Sequence, residues 1–141
     1  MAITFNNPPK KNFPSRKAMR QVISKTAVNF GHSIADLNYV FVSDEELLAM
    51  NQNHLNHNYY TDIITFDLGM ESHSIEGDVY ISVDRVEENG EKIGNGIEEE
   101  FVRVMGHGLL HLLGFRDKLP NEIQEMRQAE DQFIDLYKAH I

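Results

Sequence analysis

A sheet with helices packed against it is the fold that this chain predicts. β-branched and aromatic residues are concentrated in short runs, and these runs alternate with longer segments whose apolar residues recur at helical spacing. Turn residues separate the two kinds of segment. At 141 residues the chain has the length of one domain with a single core. We therefore expect residues 1–141 to form one domain of α/β type.

The N-terminal part of the chain predicts two strands and two helices. Residues 3–5 predict a short strand, and a helix is expected to begin near Ser15. Residues 37–42 predict the second strand, and Ser43 with Glu46 forms a capping-box pattern for a helix after it. The first helix has a predicted buried stripe of seven residues: Ala18, Met19, Val22, Ile23, Thr26, Ala27 and Phe30.

Two further strands and a short helix are predicted in the middle of the chain. Residues 63–66 and 79–83 are rich in β-branched and aromatic residues and are bounded by turn residues, which is typical of strands. Asp84 is expected to cap a helix over residues 85–92.

The last two predicted helices follow a chain break. Residues 94–96 are Gly-Asn-Gly, which separates the preceding helix from one that starts near Ile97. Three glutamates follow Ile97 and favour that helix terminus through the helix dipole. After Pro120, five apolar residues mark a final amphipathic helix: Ile123, Met126, Phe133, Ile134 and Tyr137.

The composition excludes several kinds of site. The chain has no cysteine, so it forms no disulfide, and any transition metal must be held by His, Asp or Glu. The N-terminus lacks a basic segment followed by an apolar one, and no apolar run approaches membrane-spanning length. We therefore expect a cytoplasmic protein without a membrane partner.

The charge is distributed unevenly along the chain. The net charge of -9 argues at first against a nucleic-acid partner. However, residues 1–35 contain six basic residues and no acidic residue, whereas the rest contains seven basic and 22 acidic groups. This asymmetry is compatible with one basic face that meets a polyanion, and equally with a solvated helix face.

Two histidines and an aspartate form the most informative pattern in the chain. His107 and His111 are four residues apart in a predicted helix, so both imidazoles can reach one ion. Gly114 can take the left-handed conformation that ends the helix, and the turn could bring back Asp117 as a third ligand. Three protein ligands leave a tetrahedral ion one position for water, as in catalytic zinc sites. The alternative is two hydrogen-bonded histidines and a surface aspartate.

Gly108 separates two kinds of metal site. In metalloproteases with an HExxH motif, the residue after the first histidine is the glutamate that acts as general base. Here that residue is glycine, so peptide hydrolysis would need a base from elsewhere. Gly106 and Gly108 each destabilise a helix interior by about 1 kcal/mol relative to alanine. We expect either tight packing of this helix on the sheet or a functional close approach.

Three segments carry a family resemblance. Residues 107–117, HGLLHLLGFRD, are similar to an HGxLHLxGYDH motif that includes the glycine after the first histidine. Residues 61–66, TDIITF, look like a PTDVLSF strand, and residues 77–82, GDVYIS, look like a GDIxIS strand. These motifs occur in the same order in the YbeY endoribonucleases, or rRNA maturation factors. The chain therefore resembles that family over most of its length.

The resemblance implies a fold, an activity and partners. The fold is α+β, with a mixed, mostly parallel four-stranded sheet, about five helices and the metal site on a central helix. The activity is that of a metal-dependent, single-strand-specific endoribonuclease in rRNA processing, in maturation of the small-subunit 3′ end and in ribosome quality control. The partners are single-stranded RNA, rRNA and the ribosome or its small subunit. The cofactor is one Zn²⁺ or another divalent transition metal, without an organic cofactor.

The chain departs from the family pattern at two positions. Typical members have histidine as the third ligand, where this chain has Asp117. A carboxylate neutralises part of the charge of the metal, so bound water should be less acidic than in a three-histidine site. An arginine often found upstream of the PTDVLSF strand aligns with Leu55, so we do not expect a phosphate contact from that position of this chain.

Our mechanistic hypothesis is that a zinc ion on the three ligands polarises the scissile phosphodiester and activates bound water. Arg103 lies one helical turn before His107, and we predict that its guanidinium holds the scissile phosphate. The alternative for Arg103 is a salt bridge to Glu99 or Glu100. The basic residues near the N-terminus would position the RNA backbone.

Four further polar residues have two interpretations each. His54 and His57 belong either to an ordinary polar loop, which we prefer, or to the lining of the same cleft. Asp62 and Asp78 are expected to orient ligands or to cap strands rather than to act as bases.

Three other functions remain open. A metalloprotease is favoured by the histidine spacing and disfavoured by Gly108. A non-haem iron oxygenase is possible because two histidines and a carboxylate also form a facial triad. The third is a non-catalytic ribosome-assembly factor whose metal only stabilises the fold.

Overall fold

The computed structural model describes residues 2–55, 61–93 and 96–141, without the side chains of residues 54, 55 and 93. These residues form four strands, β1 (Ala2–Asn6), β2 (Ser33–Val42), β3 (Ile63–Asp67) and β4 (Ser74–Ser82). The strands make one sheet in the order β1-β2-β4-β3. β1 and β4 run parallel to β2, and β3 runs antiparallel to β4. The predicted mixed, mostly parallel sheet is confirmed.

The described residues form five helices, as predicted. They are α1 (Arg16–Asn29), α2 (Asp44–Leu55), α3 (Val83–Ile93), α4 (Ile97–Leu112) and α5 (Pro120–Ala139). Of the predicted break at residues 94–96, residues 94 and 95 lie outside the described part, and Gly96 precedes α4 with a φ of 95°. Across the described ranges, no helix is long and apolar enough to cross a membrane.

β2 and β4 both begin earlier than predicted. β2 begins at Ser33 and β4 at Ser74, whereas the sequence predicted strands from residues 37 and 79. Each added segment has one buried isoleucine, Ile34 or Ile75, among small or polar residues, so its apolar content is low. The polar residues of these segments lie on the sheet face opposite the core, where polar side chains can face water.

The core lies between one face of the sheet and α1, α4 and α5. Alternate residues of the two central strands are buried there, among them Leu37, Tyr39, Val79 and Ile81. The Tyr39 hydroxyl donates a hydrogen bond of 2.9 Å to the carbonyl of Met105 in α4. Because Tyr39 is fully buried, this bond ties the middle of α4 to β2.

Helix caps differ from the prediction at one place. Ser43 and Glu46 form the predicted reciprocal capping box of α2, with hydrogen bonds of 3.1 Å in both directions. The prediction that Asp84 caps α3 was wrong: Ser82 Oγ accepts the backbone N–H of Arg85 instead. Asp84 lies inside the first turn and accepts the N–H of Asp44, so it stabilises the start of α2.

Two predicted core residues are exposed. Phe30 is 44% exposed because it follows the last turn of α1, where the backbone leaves helical spacing; its ring packs edge-on to Phe115. Ile123 is 49% exposed because it lies in the first turn of α5, and the buried stripe of that helix begins only at Met126. The other predicted members of both stripes are buried.

The two glycines of α4 allow close packing. A Cβ at Gly108 would lie 2.8 Å from Cγ1 of Val79 in β4. A Cβ at Gly106 would lie 2.6 Å from the ring of Phe133 in α5. Both separations are too short for a real side chain, so α4 approaches the sheet on one side and α5 on another. Of the two expectations for these glycines, the structure supports tight packing.

Candidate metal centre

The central helix α4 presents both motif histidines to a cleft. His107 and His111 lie one turn apart, with ring centroids separated by 4.6 Å. Both are partly exposed, whereas Leu109 and Leu110 between them are buried. The apolar side of the helix therefore faces the core, and the imidazoles face the opening.

The turn after α4 places Asp117 opposite the histidines. Gly114 has a φ of 105°, and its N–H donates to the carbonyl of His111. The N–H of Phe115 donates to the carbonyl of Leu110, and the Phe115 side chain packs on the apolar cluster that contains Leu110. These are the hydrogen bonds and the apolar contact of a Schellman motif, which reverses the chain.

The three predicted ligands converge on one point. Asp117 Oδ2 lies 3.4 Å from His107 Nε2 and 3.6 Å from His111 Nε2. One donor atom from each residue lies within 4.8 Å of the other two. Donors bonded to a tetrahedral zinc at about 2.0–2.1 Å lie about 3.3–3.4 Å apart. The two separations from Asp117 are close to this value, so the group could hold a metal ion.

Glu130 of α5 fixes the first histidine. Its Oε2 accepts a hydrogen bond of 2.6 Å from Nδ1 of His107. Because an ionised carboxylate can only accept, the proton of a neutral His107 lies on Nδ1, and Nε2 is left for the ion. Carboxylates commonly orient metal-binding histidines in this way. With 6% of its surface exposed, Glu130 is buried.

Arg103 holds Glu130 in turn. Its Nη1 lies 3.0 Å from Glu130 Oε1, and its Nη2 lies 2.9 Å from Asp131 Oδ1. The alternative prediction, a salt bridge from Arg103 to Glu99 or Glu100, was therefore wrong in its partners, because the ion pairs of Arg103 are made with α5. Glu99 pairs with Lys138 at 2.6 Å. The predicted phosphate contact of Arg103 stays a prediction.

The hydrogen-bonded pair changes the proton affinities of its members. Burial lowers the pKa of His107, but the hydrogen bond and charge of Glu130 outweigh it and raise that pKa. For Glu130, burial raises the pKa, but the bonds from His107 and Arg103 lower it overall. For His111, burial and the charge of His107 lower the pKa overall, although the interactions with Asp117 and the Phe115 backbone act in the opposite direction.

The metal-binding group lies in a cleft of about 520 Å³ between the edge strand and the helices. Asp62 and Glu100 also line it, and burial raises the pKa of both carboxyl groups. The lining residues come from β3 and the residues before it, α3, α4, the turn after α4, and α5: Thr61, Asp62, Ile63, Asn89, Glu100, Arg103, Val104, His107, His111, Asp117, Arg127 and Glu130.

The other predicted polar residues lie in different places. Asp78 lies on the other face of the sheet and accepts a 3.1 Å hydrogen bond from Asn38, so it is not part of the cleft. The side chain of His54 and all of His57 lie outside the described residues, as does the side chain of Leu55. The six N-terminal cations are exposed: Lys10, Lys11, Arg16, Lys17, Arg20 and Lys25.

Sequence reasoning missed Glu130 and Arg127 as residues of the site. A signal for Glu130 exists, because it falls on the apolar stripe of α5 between Met126 and Phe133. An ionised group at a buried position requires a partner. Arg127 had no comparable signal, since an arginine in an amphipathic helix is ordinary.

The chain is similar to a known protein family over nearly its whole length. The family model described as Endoribonuclease YbeY matches residues 4–138. The Endoribonuclease YbeY of Cytophaga hutchinsonii is 42% identical over 134 residues, which cover 95% of this chain and 94% of that protein. The protein of the same name from Bacteroides thetaiotaomicron is 38% identical over 135 residues, which cover 95% and 98%.

A solved structure supports the fold independently. The solution structure of a Thermotoga maritima protein matches with a TM-score of 0.67 and 24% identity, and the match covers 96% of this chain and 89% of that one. The family match extends over both the sheet and the helices that carry the metal-binding group. The chain belongs to the Endoribonuclease YbeY family.

Proposed function

We propose that this protein is a metal-dependent, single-strand-specific endoribonuclease that acts on ribosomal RNA in the cytoplasm. Its substrate would be the small-subunit rRNA, at the 3′ end during maturation and during quality control of the ribosome. Membership of a family whose members are named endoribonucleases supports the reaction class. The observation that carries the proposal is the convergence of His107, His111 and Asp117 in an open cleft.

We propose that the ion is zinc. Two imidazoles and one carboxylate suit zinc, and no cysteine is present to favour a softer metal. When bound, zinc supplies a Lewis acid that stabilises charge on the phosphodiester and lowers the pKa of water. His107 and His111 would hold it through Nε2, and Asp117 would hold it through a carboxylate oxygen.

The surrounding residues prepare this site before substrate binds. Glu130 holds His107 in one orientation, and Arg103 holds Glu130. The hydrogen bonds are short and the carboxylate is buried, so the imidazole has little freedom to turn away from the cleft. We assign Arg103 to the catalytic site through this positioning role. The exposed N-terminal cations would attract the RNA backbone.

The test is cleavage of single-stranded RNA by zinc-loaded protein. We expect wild type to cleave single-stranded RNA and to leave duplex RNA intact, and His111→Ala to lose both bound zinc and cleavage. His140→Ala is a matched control, because His140 bonds to the carbonyl of Leu136 and lies outside the cleft lining. It should behave as wild type.

Contrary results identify the alternatives. Equal cleavage by wild type and His111→Ala would refute the proposal. Casein cleavage that a chelator abolishes, with RNA untouched, would indicate a protease. Bound iron with oxygen consumption would indicate an oxygenase, since the same donor set suits both metals. If the wild type cleaves no RNA and His111→Ala has a lower melting temperature, the metal has a structural role.

A further inference from the structure

The cleft is rich in acidic groups, which would repel an RNA backbone. Its described lining contains four carboxylates, on Asp62, Glu100, Asp117 and Glu130, and two guanidinium groups, on Arg103 and Arg127. With ionised carboxylates the two sets give a formal charge of -2, and a divalent ion brings it to zero. Without either arginine the net charge of the opening would again be negative, and the opening would repel a phosphate.

Arg103 already forms ion pairs within the protein. Its side chain is 15% exposed, and both of its terminal nitrogens are in short ion pairs, with Glu130 and Asp131. Turning it towards a phosphate would remove a partner from the buried carboxylate of Glu130. Such a carboxylate is costly to leave without its cation, so this movement is strongly opposed.

Arg127 is the second arginine of the lining and has the opposite character. Its side chain is 62% exposed, and its Nη1 lies 3.8 Å from Glu130 Oε1, three residues along α5. The Arg127 end of this pair is exposed and its distance is long, and Glu130 keeps its closer ion pair with Arg103, so the Arg127 guanidinium can move to another anion at little cost. A guanidinium also matches the geometry of a phosphate through two parallel hydrogen bonds.

We infer that Arg127 contacts a backbone phosphate of the RNA at the mouth of the metal cleft. The inference rests on the proposed function and names a contact within it. Arg127 approaches one oxygen of Glu130, while the other oxygen of Glu130 holds His107. A phosphate on Arg127 would therefore lie beside the candidate metal centre.

The experiment measures initial rates of cleavage of a single-stranded RNA oligonucleotide by zinc-loaded protein at several KCl concentrations. For Arg127→Ala we expect KM to rise about tenfold and kcat to change less than about twofold, because the contact exists before and during the reaction. The slope of log(kcat/KM) against log[KCl] should fall in magnitude by about 0.7, the value for one phosphate contact on a single strand. Bound zinc should be unchanged.

Two further variants separate charge from position. Arg127→Lys keeps the charge but not the paired hydrogen bonds, so we expect the salt slope of wild type with part of the KM restored. Lys138→Ala removes one cation from the same helix, at a side chain that is 59% exposed and outside the cleft lining. Its KM, kcat and salt slope should equal those of wild type.

The outcomes distinguish this inference from the proposed function. If wild type cleaves RNA and Arg127→Ala has the same KM and salt slope, only the role of Arg127 is refuted. If Arg127→Ala loses zinc or kcat instead, Arg127 acts through the metal centre, and the phosphate contact is refuted. If zinc-loaded wild type cleaves no RNA, the proposed function fails and the contact fails with it.

Discussion

α4 and α5 border the same cleft but contribute different kinds of group. α4 carries the two histidines that could bind the ion, and the turn after it carries Asp117. α5 carries no member of this metal-binding group; it supplies Glu130, which holds one of those histidines in place. The two helices pack closely at Gly106, where a Cβ would meet Phe133. α4 and the turn after it thus provide the donors, and α5 orients one of them.

The difference between the helices has an energetic meaning. Removing a donor removes a bond to the ion itself. Removing Glu130 or Arg103 leaves the three donors in place but allows His107 to rotate. The expected loss of metal affinity is therefore smaller. The following variants are arranged by their expected effect on metal affinity, and together they test whether α4 and α5 divide these roles.

The largest effect is expected for His107→Ala in α4. Two ligands would remain, and a site with two ligands binds a divalent ion weakly. Since a catalytic metal contributes several kcal/mol to transition-state stabilisation, cleavage of RNA should fall by about a thousandfold or more. Zinc content after gel filtration and initial cleavage rates measure the two effects. Retention of one zinc per chain would show that His107 is not a ligand.

A smaller effect is expected for Glu130→Ala in α5. Loss of a carboxylate that orients a metal-binding histidine reduces metal affinity by about 10–100-fold. The variant also leaves the Arg103 side chain, which is 15% exposed, without the buried one of its two carboxylate partners, so the free energy of unfolding should fall by about 3 kcal/mol. Competition with a zinc chelator and urea denaturation measure these quantities.

The control for Glu130 is its amide. In Glu130→Gln the side-chain oxygen can still accept from Nδ1 of His107, so we expect most of the zinc affinity to return. The ¹⁵N chemical shift of His107 Nδ1 in the metal-free protein reports the hydrogen bond directly. If Ala and Gln at position 130 give the same shift and the same zinc affinity, α5 does not orient the ligand.

The donors on α4 were predictable because their relationship is local. The offset of four positions from His107 to His111 fixes their relative position through helix geometry, and Gly114 marks the reversal that returns Asp117. The order of strands and helices was predictable for the same reason, since each follows from a pattern of neighbouring residues. The exposed positions of Phe30 and Ile123 were missed because periodicity does not show where a helix leaves the core.

Spacing places Glu130 on the apolar stripe of α5, but it does not predict which residues α5 contacts. Glu130 and His107 are 23 residues apart, and Arg103 and Asp131 are 28 apart, so these pairs form only when α5 packs on α4. The cap on α3 was missed for a similar reason. Asp84 bonds to the N–H of Asp44, 40 residues earlier, and Ser82 takes the local role that the pattern gave to Asp84.

Arg103→Ala should have a still smaller effect on metal affinity than Glu130→Ala. Arg103 acts on the ion only through Glu130 and then His107, so we expect a loss of zinc affinity of about tenfold or less. The salt dependence of RNA cleavage should stay that of wild type, because this arginine is not assigned a phosphate. A reduced salt slope would instead support the phosphate contact that the sequence predicted for Arg103.

Arg103→Lys is the control for Arg103→Ala. A lysine keeps the charge beside Glu130 but cannot bond to Glu130 and Asp131 with a planar fork. We expect zinc affinity between those of wild type and Arg103→Ala, with the His107 Nδ1 shift close to wild type. If Arg103 had only a structural role, both Arg103 variants would have a lower melting temperature. The His107 Nδ1 shift would then be unchanged in both.

The smallest effect on metal affinity is expected for Gly108→Ala, although it lies between the two histidines. Its added Cβ would lie 2.8 Å from Val79 Cγ1 and 3.1 Å from Ile63 Cδ1, on the side of α4 that faces the sheet. Overpacking of this kind lowers the free energy of unfolding by about 1–3 kcal/mol, partly offset by the better helix propensity of alanine.

The folded variant should bind zinc within about threefold of wild type, because Glu130 still holds His107 from α5. Urea denaturation and chelator competition measure both quantities. A large loss of zinc affinity in folded Gly108→Ala would mean that the position of α4 on the sheet, rather than α5, sets the geometry of the metal centre.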